Sequence, residues 1–339
     1  MLRGDQSSSL NQVLCLEALK LNLQRLRMKL SVVLPCFNGA KTIAVQLEAL
    51  TKQHWPEGWE VVVVNNGSTD GSMAIVEQYR NRLPELRIVE AHNSSEPRRG
   101  VAHSYAVGMK VATGDAFVFC EADDEVGAGW LQAMGAALKQ HDFVAAAIEY
   151  TRLNEEWIVV NDRLTQTTNV GLSTMAPLFL PYASGCSFGM RRSVYEIVGD
   201  PDQACMAGWD TDYCWRAHHA NIKLHFAPEA IVHYRLRSKL IDRCRQARNW
   251  AEASIVLQEK YSSPLSWFKL LKYFARIVLN IIKHSLKAIL NAHNRKRFSN
   301  CVGALAWQIG MLEGIFKYLI IPRFRQKRDE LTIQELKGV

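Results

Sequence analysis

The chain has 339 residues, of which 48% are hydrophobic and 22% are charged. This balance is typical of a globular protein and excludes a disordered tail, a collagen-like rod and a small disulfide-stapled scaffold. The formal charge of +8 is uneven, because residues 235–339 carry 21 Lys and Arg against 7 Asp and Glu, whereas residues 1–234 carry 20 against 26. A basic C-terminal region indicates an anionic partner, either a membrane surface or a nucleic acid, and the acidic body argues against nucleic acid.

Residues 1–29 lack the charged and apolar segments of a secretory signal, so no signal peptide is predicted. We treat them as an N-terminal extension without an assigned function and regard Met28 as an alternative start. Leucines in this segment could line one short helix (Leu14, Leu16, Leu19, Leu21 and Leu26). The eight cysteines form no CxxC pair, which predicts buried reduced thiols rather than a zinc site.

From residue 30 to residue 120 the chain alternates short apolar runs with helical patterns. Strands are predicted at 31–35, 60–64, 86–91 and 116–120, with helices at 41–52, 73–82 and 101–112. The run EVVVV is apolar almost throughout, as in strands buried on both faces of a parallel sheet. This order predicts an α/β fold whose mostly parallel sheet is flanked by helices. Ligands bind beyond the carboxyl ends of such strands, so the loops after residues 34, 64 and 120 are the candidate sites.

The loop after the fourth predicted strand is strongly acidic: Glu121, Asp123, Asp124 and Glu125 lie within five residues. Their mutual repulsion allows two interpretations, a solvated turn or a site that binds a cation. The position at the carboxyl edge of a parallel sheet favours the cation. Carboxylate oxygens together with diphosphate oxygens suit Mg²⁺ or Mn²⁺, which would neutralise a diphosphate leaving group.

Five segments, in this order, resemble those of the inverting family-2 glycosyltransferases of GT-A fold. They are SVVLPCFNG, EVVVVNNGSTDGS, GMKVATGDAFVFCEADDE, SGCSFGMRRSVYEIVG and GWDTDYCWRAHHANIKLHFAPEAIVHYR. They cover about residues 30–235, so the resemblance implies a GT-A (Rossmann-like) domain there, followed by a helical basic region at 236–339. It also implies an enzyme that moves a sugar from a nucleotide-sugar donor.

The resemblance implies that the donor nucleotide lies over the loops after the first two strands. In the family the first strand ends in Pro-x-Tyr-Asn, and here Pro35, Phe37 and Asn38 occupy those positions. The second strand usually ends in two Asp, the second of which bonds the base, whereas here the pair is Asn65 and Asn66. An Asn side chain both donates and accepts hydrogen bonds, so the base preference is open. A plain turn is the alternative for this segment.

The resemblance also assigns the acidic loop. The family's Asp-x-Asp appears here as Glu121 and Asp123, with the first acid near the donor ribose and the second on the metal and diphosphate. Asp124 is the next candidate. His233, after a strand-like run, stands where relatives often have a further metal ligand, although a structural role is the alternative. Many family members carry an Arg near the diphosphate in the helix where this chain has His103-Ser104-Tyr105-Ala106, so that Arg is missing. Arg98 and Arg99 are candidates to supply its charge, and solvated loop arginines are the alternative.

A second acidic segment implies the acceptor side. GWDTDY matches the family's Gly-Glu-Asp-x-Asp-Leu, which makes Asp210 the general base that takes the acceptor's proton. Trp209 replaces the common Glu, and its indole face is a candidate for stacking on a sugar ring. Asp212 is placed on the acceptor side or at the helix terminus, and a helix N-cap is the alternative for Asp210.

The C-terminal region contains two long helical patterns. In 267–290, five cations recur on one helical face, which favours an amphipathic helix lying in a membrane interface over a spanning helix. The run 302–321 is apolar except for Glu313 and Lys317, a predicted i,i+4 pair, and is interpreted as packed or monotopic rather than spanning. Arg323, Arg325, Lys327 and Arg328 end the basic stretch. A helical cap on the enzyme body is the alternative.

The combined prediction is a metal-dependent inverting glycosyltransferase that is peripheral on the inner face of the membrane. Its partners would be a nucleotide-sugar donor, a glycan or lipid-linked acceptor, and a membrane surface contacted through residues 267–328, with no nucleic acid. Three alternatives stay open. They are a polyprenyl-phosphate glycosyltransferase, which needs no base, a sugar nucleotidyltransferase, whose Gly-rich loop is absent near residue 38, and an inactive nucleotide-sugar-binding protein.

Overall fold

The structure is a computed structural model and describes residues 27–159, 165–264 and 266–322. The predicted leucine helix and the basic residues from Arg323 onward lie outside the described residues. Met28 is buried, and its carbonyl accepts a 2.7 Å hydrogen bond from Nε1 of Trp55.

An eight-stranded sheet forms the centre of the described protein, in the order β3-β2-β1-β4-β9-β6-β10-β5. Its first four strands in this order are parallel, β6 and β10 are also parallel, and β9 and β5 run antiparallel to their neighbours. A separate hairpin joins β7 and β8. The strands are β1 Leu30–Cys36, β2 Trp59–Asn65, β3 Arg87–Glu90, β4 Ala116–Phe119, β5 Glu125–Val126, β6 Phe143–Glu149, β7 Ser173–Met175, β8 Leu180–Tyr182, β9 Phe188–Arg191 and β10 Leu224–His233.

Helices cover this sheet and continue beyond it. They are α1 Ile43–Thr51, α2 Ser72–Glu77, α3 Val101–Val111, α4 Trp130–Gln140, α5 Arg192–Val198, α6 Trp209–His219, α7 Leu240–Tyr261, α8 Trp267–Leu290 and α9 Arg295–Gly314. A 3₁₀ helix at Gln203–Gly208 leads into α6, and a π-helical segment at Ile315–Ile320 follows α9. The helix predicted at 73–82 is shorter in the structure, where α2 begins at Ser72 and ends at Glu77.

The apolar runs of the sequence become the central strands. Every residue of β1 and β2 is buried, since helices cover both faces of the sheet. Each parallel pair aligns the carboxyl ends of its strands, with Cys36 opposite Asn65 and Val33 opposite Phe119. The predicted mostly parallel sheet with flanking helices is confirmed. Its loops after β1, β2 and β4 therefore open on one edge.

The C-terminal helices α7, α8 and α9 pack together around a small apolar core. Its members are Ala251, Ile255, Leu270, Ile277, Met311, Ile315 and Leu319. The predicted pair of Glu313 with Lys317 is wrong, because both side chains turn toward α7: Glu313 binds Arg248, and Lys317 binds Glu252. Within the described residues, no helix has both the length and the apolar character needed to cross a membrane.

Candidate active site

Three carboxylates meet in the loop after β4. One oxygen from each of Glu121, Asp123 and Asp124 lies within 4.8 Å of the others, which is the spacing of groups that share a cation. Asp124 is only 1% exposed, and its Oδ2 has no hydrogen-bond partner among the described residues. A buried carboxylate oxygen without a partner is costly, and a bound divalent cation would satisfy it. The residues present therefore fit Mg²⁺ or Mn²⁺.

Two arginines that follow β10 hold this acidic loop in place. The Asp124 Oδ1 accepts a 2.8 Å bond from the backbone N–H of Arg235, whose Nε donates to the Asp123 carbonyl at 2.7 Å. Arg237 binds the Asp123 carboxylate at 2.8 Å. These contacts span more than 110 residues of sequence. The sequence prediction did not include either arginine, and the only signal for them was their closeness to His233.

The electrostatics of the loop also favour a cation. Burial, and then the neighbouring carboxylate of Asp123, raise the pKa of both Asp124 and Glu121. Each carboxylate raises the cost of ionising the next, and a divalent cation would lower that cost for all three. The loop therefore has the charge arrangement of a cation site that is only partly neutralised by Arg237.

His233 lies at the end of β10, and its Nδ1 is 2.8 Å from Oε2 of Glu149. Although burial acts in the opposite direction, hydrogen bonds from Thr151 and His233 lower the pKa of Glu149 to about 2. Among the described residues, the carboxylate group that could share an ion does not include His233. Its role as a metal ligand stays a prediction, with Glu149 orienting the ring.

The loops after β1 and β2 are bonded to each other. Asn38, with a φ of 50°, accepts a 2.9 Å bond from the N–H of Thr69 at its Oδ1, and its own N–H donates to Oγ of Ser68. A Cβ on Gly39 would lie 3.4 Å from the Cβ of Ala122. The close approach at Gly39 therefore brings the first loop against the acidic loop, so that the predicted donor and metal residues share one edge of the sheet.

The two asparagines after β2 have different surroundings. The Nδ2 of Asn65 donates to both carboxylate oxygens of Glu90, so that this side chain is fixed. The Nδ2 of Asn66 donates to the Arg99 carbonyl at 2.9 Å, while its buried Oδ1 has no partner among the described residues. Asn66 thus presents a free acceptor, which suits a donor group on a base edge.

The remaining donor-loop residues surround this position. Pro35 is buried inside β1, whereas Phe37 and Asn38 are exposed. The guanidinium of Arg98 lies 3.6 Å from the centre of the Phe37 ring, which is a cation–π contact. A positive charge therefore stands beside this loop, and a role for Arg98 in place of the missing helix arginine stays a prediction.

Asp210 lies in the first turn of α6, where two amides hold its carboxylate. Its Oδ2 accepts from the N–H of Gly185 at 3.0 Å, and its Oδ1 accepts from the N–H of Thr211 at 2.8 Å. Burial raises the pKa of Asp210 to about 6, although these two bonds oppose the rise. A carboxylate with a pKa in this range suits a general base near neutral pH.

The structure distinguishes the two residues predicted on the acceptor side. Trp209 lines the cavity beside Asp210, but it is buried against Tyr105 and Phe188, at 4.9 Å and 5.8 Å between ring centres, so that little of its face is open to a sugar. Asp212 is fully buried and faces α7. It binds Arg216 at 2.9 Å and Lys260 and Tyr261 at 2.7 Å, which is the environment of a structural anchor.

Asp210 and Glu121 line one cavity of about 700 Å³. Its inner wall comes from the sheet domain, and its outer wall comes from α7, α8 and α9. The sequence analysis kept a helical cap on the enzyme body as an alternative for this region, but it named none of the residues of the outer wall, because no motif marks them. The residues concerned include Gln246, Trp250, Ser254, His284, Trp307 and Gln308.

Comparisons with known proteins identify the type of domain. Residues 31–199 match the model of glycosyl transferase family 2. The chain is 35% identical over 98 residues to the uncharacterized glycosyltransferase YibD of Escherichia coli, which is 29% of this chain and 27% of that protein. It is 36% identical over 115 residues to the poly(ribitol-phosphate) β-N-acetylglucosaminyltransferase TarS of Staphylococcus aureus, which is 34% of this chain and 19% of that protein. The chain thus spans about a quarter or less of these relatives.

Solved structures show the same fold. The mannosyltransferase PcManGT from Pyrobaculum calidifontis, in complex with GDP-Man and Mn²⁺, superposes with a TM-score of 0.58 at 18% identity, over 84% of this chain and 87% of that one. TarS in complex with UDP-GlcNAc superposes with a TM-score of 0.50 at 18% identity, over 84% and 91%. The expected GT-A fold is confirmed.

Proposed function

Since this chain belongs to glycosyl transferase family 2 and has the GT-A fold, we propose that it is an inverting, metal-dependent transferase with Asp210 as its base. It takes a sugar from a nucleotide-diphosphate donor and attaches it to a hydroxyl of a glycan or lipid-linked acceptor. The observation that carries the proposal is the pairing of two acidic sites in one cavity. Glu121 belongs to the carboxylate cluster, and Asp210 stands apart from it.

The carboxylate cluster and Asp210 would have different roles in the reaction. Glu121, Asp123 and Asp124 would hold Mg²⁺ or Mn²⁺, which supplies charge neutralisation for a diphosphate leaving group when bound. Asp210 accepts the proton of the acceptor hydroxyl while the oxygen of that hydroxyl forms a bond to the anomeric carbon of the donor sugar. The bond from that carbon to the diphosphate oxygen breaks with its electron pair on the diphosphate. One in-line displacement inverts the anomeric centre, so no enzyme nucleophile is required.

Two observations support a nucleotide-sugar donor. Asn66 offers a buried acceptor oxygen next to the loop that holds Asn38, and Arg98 adds a cation there. Solved neighbours of the same fold carry GDP-Man with Mn²⁺ and UDP-GlcNAc. We therefore propose a nucleoside-diphosphate sugar whose base donates an N–H to Asn66, and the ligands of the solved neighbours make UDP- and GDP-sugars the first candidates.

The test is to incubate the full-length protein with UDP- and GDP-sugars, with and without Mn²⁺, and to measure nucleotide release. Wild-type protein should hydrolyse or transfer from at least one donor only when the cation is present. Asp210→Asn keeps the shape of the side chain but cannot take a proton, so transfer should fall by about 10²–10⁴. Donor affinity should stay within a few-fold. Absence of turnover with every donor, or an unimpaired Asp210→Asn, would contradict the proposal.

We also propose that the protein is peripheral on the inner face of a membrane, with α8 lying in the interface. Leu270, Ile277 and Ala288 face the protein, while ten large apolar side chains of this helix are exposed. They are Trp267, Phe268, Leu271, Phe274, Val278, Leu279, Ile282, Leu286, Ile289 and Leu290. Five exposed cations line one side of this apolar face, and the helix contains no carboxylate. Such a helix suits an anionic leaflet and a lipid-linked acceptor.

A further inference from the structure

The C-terminal helices form the outer wall of the catalytic cavity. Trp250 on α7 and Trp307 on α9 line it, as does His284 on α8, while Asp210 lies on the wall formed by the sheet domain. The donor residues come from the loops after β1, β2 and β4, at the carboxyl edge of the sheet. An acceptor that reaches Asp210 from the side opposite the donor loops therefore contacts the three C-terminal helices.

This outer wall combines aromatic rings with free amides: Trp250 is exposed, and Trp307 is partly buried against the core of the C-terminal helices. Trp250 lines the cavity and is 44% exposed, so that part of its ring is open to a ligand. The amides of Gln246 and Gln308 line the same cavity and make no side-chain hydrogen bond within the described part of the chain. An exposed indole beside unpaired amides is the chemistry that recognises a pyranose, whose C–H face lies on a ring and whose hydroxyls bond to amides.

We propose that this outer wall is an acceptor-glycan subsite, with Trp250 and Trp307 as stacking platforms and Gln246 and Gln308 as hydrogen-bonding groups. The subsite presents sugar rings of the acceptor to Asp210, and it rests on the proposed function of the same cavity. A glycan is favoured over an alkyl chain as the occupant, although aliphatic residues such as Leu257 and Ala304 also line the wall, because an alkyl chain would bury the amides of Gln246 and Gln308 without hydrogen-bond partners.

The experiment measures binding of the fluorescently labelled full-length protein to an array of chemically defined oligosaccharides. The wild-type protein should bind at least one class of glycan. Trp250→Ala and Trp307→Ala should each reduce that binding by about tenfold, the scale expected for one aromatic contact. Trp250→Tyr should retain most of it, because a ring is still present.

Trp267→Ala is the matched control. Trp267 is 58% exposed at the start of α8 and does not line the cavity, so this variant should bind glycans like the wild-type protein. Mn²⁺-dependent affinity for UDP or GDP should be unchanged in all four variants, which excludes misfolding. An array without any bound glycan, or equal binding by Trp250→Ala and wild type, would overturn the subsite.

The two proposals fail in different ways. Donor turnover with an empty array would overturn the subsite and leave the transferase proposal standing. Glycan binding that depends on Trp250, without turnover of any UDP- or GDP-sugar, would overturn the transferase and leave a glycan-binding site.

Discussion

At the scale of single residues, the acidic loop is a set of carboxylates that the protein only partly neutralises. Arg235 and Arg237 occupy some of the available oxygens, and Oδ2 of Asp124 stays buried without a partner in the described chain. A loop that was merely solvated would not place a carboxylate at 1% exposure. The burial of Asp124 therefore argues for a cation rather than for a solvated turn.

Asp123→Ala should abolish the Mn²⁺-dependent part of UDP or GDP binding, because it removes one of the three carboxylates proposed to hold the cation. The measurement is calorimetric titration with and without Mn²⁺. Glu125→Gln is the control, since Glu125 binds Arg152 and stands outside the cluster. Asp123→Ala should still unfold cooperatively on heating. Unchanged nucleotide affinity in Asp123→Ala would refute the metal assignment.

Asp210 gives a prediction about pH. Its folded-state pKa is raised to about 6, so the protonated form is favoured below that pH and cannot accept the acceptor's proton. With cation and donor saturating, the transfer rate should rise as the pH increases through about 6 and then level off. Asp210→Asn should lack this rise. A rate independent of pH between 5 and 8 would mean that another group is the base.

At the scale of elements, α8 has two faces with different surroundings. Its narrow face packs on the C-terminal core, and its wide apolar face is exposed beside a row of cations. The sequence predicted the bounds of this helix correctly, because its periodicity is regular over all 24 residues. The row of cations is the feature that separates an interfacial helix from an ordinary packed one.

The triple variant Lys272→Glu, Arg276→Glu, Lys283→Glu should lose binding to vesicles of phosphatidylcholine with 30% phosphatidylglycerol. Each cation near an anionic surface contributes about 1 kcal/mol, and salt screens this contribution. Flotation of vesicles measures the bound fraction. The charge-conserving variant Lys272→Arg, Arg276→Lys, Lys283→Arg should bind like wild type. Equal binding of both triple variants, or binding of wild type to neutral vesicles alone, would contradict the role of charge.

The element that connects the two parts of the chain is α6. Asp210 at its start faces the cavity, while Asp212 one half-turn later is tied to Lys260 and Tyr261 of α7. Removing one partner of such a buried ion pair would leave the other charge buried without compensation, which destabilises the folded protein. The same short segment thus carries a candidate base and an anchor for the C-terminal helices, which fixes the outer wall of the cavity relative to Asp210.

At the scale of the whole molecule, the C-terminal helices line the cavity that holds Asp210 and also carry the proposed membrane face. A truncation after Ser266 would remove α8 and α9, uncover buried Ala251 and Ile255 of α7, and open the cavity. The truncation would therefore remove the proposed membrane contact and disturb the structure at the same time, so that its result would not distinguish the two effects. Point substitutions separate the two effects.

Gly310→Ala should lower stability and glycan binding together. A Cβ at this position would clash with the carbonyl oxygen of Arg248, and the backbone of α7 cannot yield as a flexible side chain would. We expect a loss of about 1–3 kcal/mol in the free energy of unfolding, despite the better helix propensity of Ala. Chemical denaturation measures it. Gly71→Ala, with nothing within 4 Å, is the control and should be nearly neutral.

Much of this protein follows from its sequence alone. Uninterrupted apolar runs specify β1, β2 and β4, since only a strand covered on both faces can bury them. The loops after those strands carry Asn38, Asn66 and the Glu121–Asp124 segment, and sheet topology brings them to one edge. Local periodicity also defines α8. These features depend on residues close together in the chain, which is why pattern and family resemblance were sufficient.

Tertiary structure alone decided how distant segments meet. The partners of Glu313 and Lys317 lie on α7, because helix packing brings cations and carboxylates closer across helices than along one helix. The same packing buries Asp212 and turns Trp209 away from solvent. It also places Trp250 and Trp307 in the cavity of Asp210. No local pattern encodes these contacts, since they arise only when α7, α8 and α9 close over the sheet and bury their shared apolar core.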